Sequence, residues 1–305
     1  ANLHFNLNPH ISYKERWRES HPNIKSHKDL RELDGYTSGF FFFKEYKLML
    51  ELYHFHGATC GLKTRIALAE KGVDYVEHAL TRAEVRSPKY RAINPNAVVP
   101  TLIHDGNTIF ESSCIINYID DAFEGPALKP SEPLVVAYLW WWLKRADECL
   151  PMIGTLTYTI SMRPKLIIMR PEEIEQHIQG IPNAATRARR RRIIEQGYES
   201  SDFDQSIEGL LKMLSDMENS LMKNEWLIGD NYTLSDTAMT PLVERIYELE
   251  CDGLLEKYEV VKDWYERVQA RASYENCLGL TPNPEGPQHS ANGKKAWPYI
   301  KALID

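Results

Sequence analysis

The 305-residue chain is 43% hydrophobic, 26% charged and 10% aromatic, a globular composition long enough for two ordinary cores. Its formal net charge of -7 argues against nucleic acid as a partner, because phosphate binding needs a positive surface. No apolar run approaches the ~20 residues that span a bilayer, and the Asn2–Asn23 stretch lacks the apolar centre of a secretion signal. A cytoplasmic protein with no membrane partner is expected. The five cysteines (Cys60, Cys114, Cys149, Cys251 and Cys277) are widely spread with no CxxC pair, which fits reduced thiols better than disulfides or zinc.

Residues 1–46 form a polar extension ending near Phe40-Phe41-Phe42-Phe43. Four adjacent phenylalanines are costly in water, so the extension is expected to pack on the main body or to meet a partner. Met49–Phe55 alternates large apolar residues and predicts a strand. Cys60–Lys71 spaces Leu62, Ile66, Ala69 and Val73 as a helical stripe, with Gly72 placed to end it. Val73–Ala79 predicts a second strand. Pro100–His104 and Thr108–Phe110 predict two more, joined by the turn signal Asp105-Gly106-Asn107. Ser113–Phe123 returns to helical spacing. Residues 47–124 therefore predict an α/β domain of thioredoxin-like order, βαβ then ββα.

Residues 124–133 carry Gly125, Pro126, Pro130 and Pro133 and predict a linker. An all-α domain is expected over 134–278. Leu134–Tyr158 is apolar almost all round, with Trp140-Trp141-Trp142, and predicts a buried central helix. Gln205–Met222, Leu234–Leu249 and Tyr258–Arg271 follow as helices, and Thr233-Leu234-Ser235-Asp236 matches a capping box. The tail 279–305, rich in Pro, Gly and Asn, is expected to run over the surface. The charge run Arg187–Arg192 reads either as a solvated helix face with packed stems or as a group beside an anionic ligand.

Three pieces carry chemistry. Ala58-Thr59-Cys60-Gly61 sits where a strand gives way to a helix. Unpaired amides at a helix start stabilise a thiolate, which would belong to Cys60 or to a ligand thiol held by Thr59 or Cys60. Val99-Pro100 opens a strand, and a cis bond there would turn the Val99 N–H and C=O toward a peptide-like ligand; an ordinary trans proline at a strand start is the other reading. Glu111-Ser112 begins the next helix. Its hydroxyl and amides suit a carboxylate and its carboxylate an amine, although a plain helix cap has the same residues. Together these fit a molecule with an amine, a carboxylate, a peptide bond and a thiol: glutathione. No metal-ligand spacing occurs; His54 and His56 have no third partner in the sequence, and no P-loop, GxGxxG or GxSxG is found.

With these motifs, and with Gly229–Asp236 opening a late helix, residues 48–278 resemble the glutathione transferase superfamily. Within it the chain is most similar to bacterial β-aryl etherases of the β(S)-cleaving type. That similarity is carried by Arg91-Ala92-Ile93-Asn94-Pro95-Asn96, Glu111-Ser112, Ile153-Gly154, Glu172–Ile178 and the insertion from Ile181-Pro182 to Arg192. Cys60-Gly61-Leu62-Lys63-Thr64-Arg65 is similar to the catalytic loop of glutathione-dependent hydroquinone reductive dehalogenases, with Cys60 at their essential cysteine. The etherase serine falls on Gly61, the dehalogenase serine on Ala58, and the Lys or Gln usual before the valine of the cis-proline motif is Val98.

The resemblance implies glutathione as co-substrate, an aromatic small-molecule substrate, and a dimer, homo- or heteromeric. The expected reaction is cleavage of a lignin-derived β-aryl ether by the glutathione thiolate, giving a thioether and a phenol. Thr59 and Cys60 are the candidates for orienting sulfur; Val99, Pro100, Glu111 and Ser112 for holding the peptide; and Trp141 and Tyr158 for lining the substrate pocket, unless these aromatics only pack the core. Reductive dehalogenation, with Cys60 taking up a glutathionyl sulfur, is one alternative. A weakly catalytic or non-catalytic subunit of a heterodimer is another.

Overall fold

The computed structural model describes residues 50–305; the expectations for residues 1–46, and for Met49, lie outside them. Strand alternation decides the first element. In β1 (Leu50–His54), Leu50, Leu52 and His54 are buried, while Glu51 and Tyr53 are only partly so. Helix α1 (Thr59–Lys71) follows and ends at Gly72, whose φ of 66° is left-handed as a helix stop requires. Strand β2 (Val76–Ala79) pairs parallel with β1, placing Leu52 opposite Glu77 and His54 opposite Ala79. Strand β3 (Thr101–His104) pairs antiparallel with β1, and β4 (Asn107–Ile109) antiparallel with β3. The sheet order is β2-β1-β3-β4. Asp105 and Gly106 both have positive φ, 49° and 78°, the geometry of a two-residue hairpin. The last strand therefore begins at Asn107, one residue before the expected Thr108.

Helix α2 (Ser112–Ala122) closes the ββα unit. Ile115, Ile116 and Ile119 from α2 and Ala67 and Leu68 from α1 share one core with Leu50, Leu52 and Leu102 of the sheet. The linker is tied down. Asp120 accepts from Lys71 Nζ at 3.0 Å and from the Leu128 N–H at 2.9 Å, and Lys71 also donates to the Pro126 carbonyl at 2.9 Å.

The remainder is helical: α3 (Pro133–Thr157), α4 (Pro171–Gln179), α5 (Ala184–Gln196), α6 (Ser201–Leu221), α7 (Leu234–Glu248), α8 (Glu259–Gln269) and α9 (Gly286–Ile304), joined by short helical turns. No described helix is long and apolar enough to cross a membrane. Helix α3 departs from the all-round burial expected of it. Trp142, Leu143, Ala146, Cys149 and Ile153 are buried, whereas Leu134, Tyr138, Trp140 and Trp141 are 58%, 54%, 53% and 49% exposed.

The tail departs further. Residues 286–304 form α9 rather than a surface strap, and Ala296 and Ile300 join the main core. Gly293 makes this possible: a Cβ there would stand 1.7 Å from the Leu249 carbonyl oxygen, so only glycine lets the helix come so near.

The expected cap at the start of α7 is present. Asp236, fully buried, accepts from the Thr233 N–H at 3.0 Å, the Leu227 N–H at 3.0 Å and Trp264 Nε1 at 2.9 Å. It joins α7, the loop before it and α8. Asp236→Ala strips these three donors and the Thr233 hydroxyl of their acceptor and is expected to lower unfolding free energy by about 3 kcal/mol. Urea unfolding of the two proteins measures this, and an unchanged midpoint would contradict the cap's structural role.

Candidate functional site

The site is built around the loop between β1 and α1. Ala58 donates its N–H to the Phe55 carbonyl at 2.8 Å, and Arg245 Nη2 donates to the Gly57 carbonyl at 2.7 Å, which fixes the loop from the helical side. No side chain caps the first turn of α1, so its amides face whatever enters. Thr59 is half-buried, and among the described residues no hydrogen bond engages its hydroxyl. Cys60 is half-buried too. Burial pushes its thiol up; the Lys63 ammonium and a hydrogen bond with Ser112 pull down less strongly. At Cys60, burial therefore opposes the thiolate that the helix start favours.

The structure brings Ser112 to Cys60 and sets Glu111 close enough for its charge to be felt at the sulfur. Ser112 is buried and Glu111 exposed. Glu111 has φ 64°, a left-handed conformation costly for a residue with a Cβ and a mark of functional sites. The Val99-Pro100 bond is cis. No described hydrogen bond takes the Val99 N–H or C=O, which leaves an open main-chain edge. Two buried residues hold the approach to it: Tyr90 Oη and Asn94 Nδ2 both donate to the Val98 carbonyl, at 2.7 and 3.0 Å. Neither was marked as a site residue by its sequence position.

Beneath the loop lies a pair the sequence left without a partner. Strand register puts Glu77 on the face that carries His54 and His56, and His54 Nε2 meets Glu77 Oε1 at 2.7 Å. One ligand atom from each of the three lies within 4.8 Å of the others. The third partner comes from a neighbouring strand 23 residues on, which motif spacing does not reveal. Desolvation pulls His54 down to about 4, with Glu77 opposing and Arg65 assisting; His56 moves down for the same first reason. Both imidazoles are neutral props for the loop, and the Arg65 charge works against a cation among them. Gly61 sits directly over His54: a Cβ there would lie 3.3 Å from the His54 Cβ and from the Phe55 carbonyl. The serine of the related loops has no easy room at this position.

Lys63 is the main residue that sequence reasoning missed. It is 1% exposed, and its ammonium donates to Ser113 Oγ at 3.0 Å and Asp147 Oδ1 at 3.1 Å, while Ser113 donates to Asp147 at 2.8 Å. A lysine on a buried helix and a lone aspartate in the Trp-rich helix were the available signals.

The two aromatic candidates separate. Trp141 lines a surface hollow with Lys144, Arg145, Glu148, Lys212 and Asp216, on a face of α3 turned away from Asp147. Tyr158 opens the π-helical turn Tyr158–Met162 that continues α3. It is buried with Leu166, Ile178, Ile193 and Ile194 in a separate small cluster.

Residues 52–127 match the family model of the glutathione S-transferase N-terminal domain and residues 159–272 that of the C-terminal domain. The chain is 27% identical to a tetrachloro-p-hydroquinone reductive dehalogenase of Sphingobium chlorophenolicum over 248 residues, 78% of this chain and 98% of the relative. It is 29% identical to protein LigF of Sphingobium sp. SYK-6 over 197 residues, 62% of this chain and 76% of the relative. The crystal structure of the beta-etherase LigF from the same strain superposes with a TM-score of 0.69 at 26% identity, covering 76% of this chain and all of that one.

The His54 environment has a pH consequence. Unfolded His54 protonates near 6.5 and the folded imidazole only near 4, so between these values the unfolded state holds the extra proton. Stability is then fully present above about pH 6.5 and falls on acidification, by at most about 1.4 kcal/mol per pH unit for this group. Melting curves across that range should show a shallower slope for His54→Asn than for wild type; equal slopes would rule this source out.

Proposed function

Because the chain belongs to the glutathione transferase superfamily, whose co-substrate is glutathione, we propose that it delivers the glutathione thiolate to the ether-bearing carbon of an aromatic β-aryl ether of the kind found in lignin fragments. The observations that carry this reading are an uncapped helix start whose cysteine thiol is pushed up by burial, and an open main-chain edge at Val99. A protonated Cys60 is a poor nucleophile but a donor; the nucleophile is then the ligand's. Glutathione pairs its peptide with Val99, its amine with Glu111, and its carboxylate with Ser112 and the first amides of α2. Its sulfur accepts from the Thr59 hydroxyl and the start of α1.

The thiol proton leaves to solvent, and the thiolate electron pair forms the new carbon–sulfur bond. The carbon–oxygen bond breaks with its pair going to the departing phenolate, which takes a proton from water. The protein contributes alignment and a lowered thiol pKa. The similarity to a beta-etherase supports this substrate class.

A second reading is favoured by the position of Cys60 beside Ser112 and Lys63 and by the dehalogenase relative. Here Cys60, as thiolate, attacks the sulfur of a glutathionyl hydroquinone. A mixed disulfide forms, the carbon keeps the carbon–sulfur pair and gains a proton, and a second glutathione releases Cys60 as oxidised glutathione.

Assays with an aryl ether ketone and with a chlorinated hydroquinone separate the two readings. Thr59→Ala is expected to lower kcat/KM on the ether about tenfold or more, with Cys60→Ser still giving the thioether. If neither substitution slows the ether reaction, the sulfur-orienting roles are wrong. Complete dehalogenation by Cys60→Ser would exclude the second reading.

We also infer a dimer. Leu134, Tyr138 and Trp141 form an exposed apolar stripe along α3, which supports a subunit contact there. Light scattering should give a dimer for wild type and a monomer for Tyr138→Glu; a wild-type monomer contradicts this.

A further inference from the structure

The insertion between α3 and α6 carries an arginine run whose members are treated unequally. Arg191 donates to Glu175 at 3.0 Å, Arg192 to Asp202 at 2.7 and 2.9 Å, and Arg187 to the Ile181 carbonyl at 2.6 Å. Arg190 has no carboxylate among the described residues. Its Nη1 donates to the Gly154 carbonyl at 2.8 Å, and its guanidinium lies 4.1 Å from the centre of the Tyr158 ring. Arg86, from the loop after β2, reaches the same place: its Nη1 stands 3.5 Å from His177 Nδ1, and His177 Nε2 stands 3.0 Å from Tyr158 Oη. Arg86 has no carboxylate either, although its neighbour Arg82 is bound to Glu285 at 2.5 and 3.2 Å.

Half-buried Arg190 and exposed Arg86 thus approach Tyr158 and His177 with no carboxylate beside either among the described residues. Burial pulls Arg190 down to about 10 and Arg86 and His177 down as well, and the positive neighbours of each add to the effect. Such crowding is unfavourable unless an anion completes it. The donors are ready. With His177 neutral, Nδ1 faces Arg86 and Nε2–H donates to Tyr158 Oη, so the tyrosine proton, held firmly with its pKa pushed up to about 12, is left for another acceptor.

Position narrows the source of the anion. Gly154 lies about 10 Å along α3 from Asp147, on the helix face that reaches Lys63, and Tyr158 begins the π-helical turn that continues α3. We propose that Arg190, Arg86 and Tyr158, with His177 between them, form a carboxylate-binding subsite for the far end of the aromatic co-substrate. The inference rests on the glutathione reading above and adds the class of substrate: an aromatic acid.

The test is calorimetry with three probes: glutathione, S-phenacylglutathione and its 4-carboxy derivative. Wild type is expected to bind the carboxy conjugate about tenfold more tightly than the neutral one, the worth of one charge-assisted hydrogen bond. Arg190→Gln should abolish that preference, and the near-isosteric Tyr158→Phe should reduce it, with affinity for glutathione itself unchanged. Tyr158→Phe keeps the test open if Arg190→Gln fails to fold. Equal wild-type affinity for the two conjugates would overturn the subsite alone. So would equal weakening of glutathione and the carboxy conjugate by Arg190→Gln, because the anion would then be glutathione's own. Failure to bind any of the three would overturn the glutathione reading together with the subsite.

Discussion

The Lys63 ammonium is the constraint on which the arrangement turns. A lysine 1% exposed is tolerable only if its donors are met and its charge is answered. Ser113 on α2 and Asp147 on α3 do both, so three helices from the two halves of the chain meet at one charge. That charge lies one helical turn from Cys60 and is felt there. The same contact that locks the α/β part to the helical part therefore sets the field in which a thiol at the start of α1 must ionise. Asp147 weakens that field and so moderates it.

This field does not suffice to make Cys60 a thiolate, because desolvation outweighs it. A ligand sulfur placed at the same helix start would meet the first-turn amides and the Thr59 hydroxyl in a different setting. On the proposed reading, the chain supplies position and partial charge, and glutathione supplies the nucleophile. At the other end of α3, the Arg190 guanidinium lies over Tyr158 and Arg86 stands beside His177. The proposed anion subsite there, taken with the proposed glutathione site, would select a substrate with a carboxylate.

Much of the α/β part was legible because local rules govern it. Two-residue periodicity marks β1, the Asp105-Gly106 turn marks the hairpin, and Thr233–Asp236 announces α7. The contacts that make a site out of these elements were not legible, because they join residues far apart in sequence. Glu77 reaches His54 only through parallel strand register. Asp147 reaches Lys63 only through packing across 84 residues. Helix α9 was hidden by Pro287, Gly293 and Pro298, residues that read as loop formers but stand near its first turn, at a close approach and inside the helix. The all-round burial expected of α3 failed at Trp140 and Trp141 because an apolar run does not say which face meets the core and which is left exposed. The arginine run kept two readings open; the structure gives Arg191 and Arg192 to carboxylates and leaves Arg190 beside Tyr158.

The central claim is that the reactive thiolate belongs to glutathione and not to the chain. Ultraviolet thiolate absorbance, titrated against pH on wild type and Cys60→Ala with and without glutathione, tests it directly. The account predicts no thiolate signal near neutral pH in the free protein, and a signal on adding glutathione that survives Cys60→Ala. A neutral-pH thiolate in free wild type that vanishes with Cys60→Ala would contradict it.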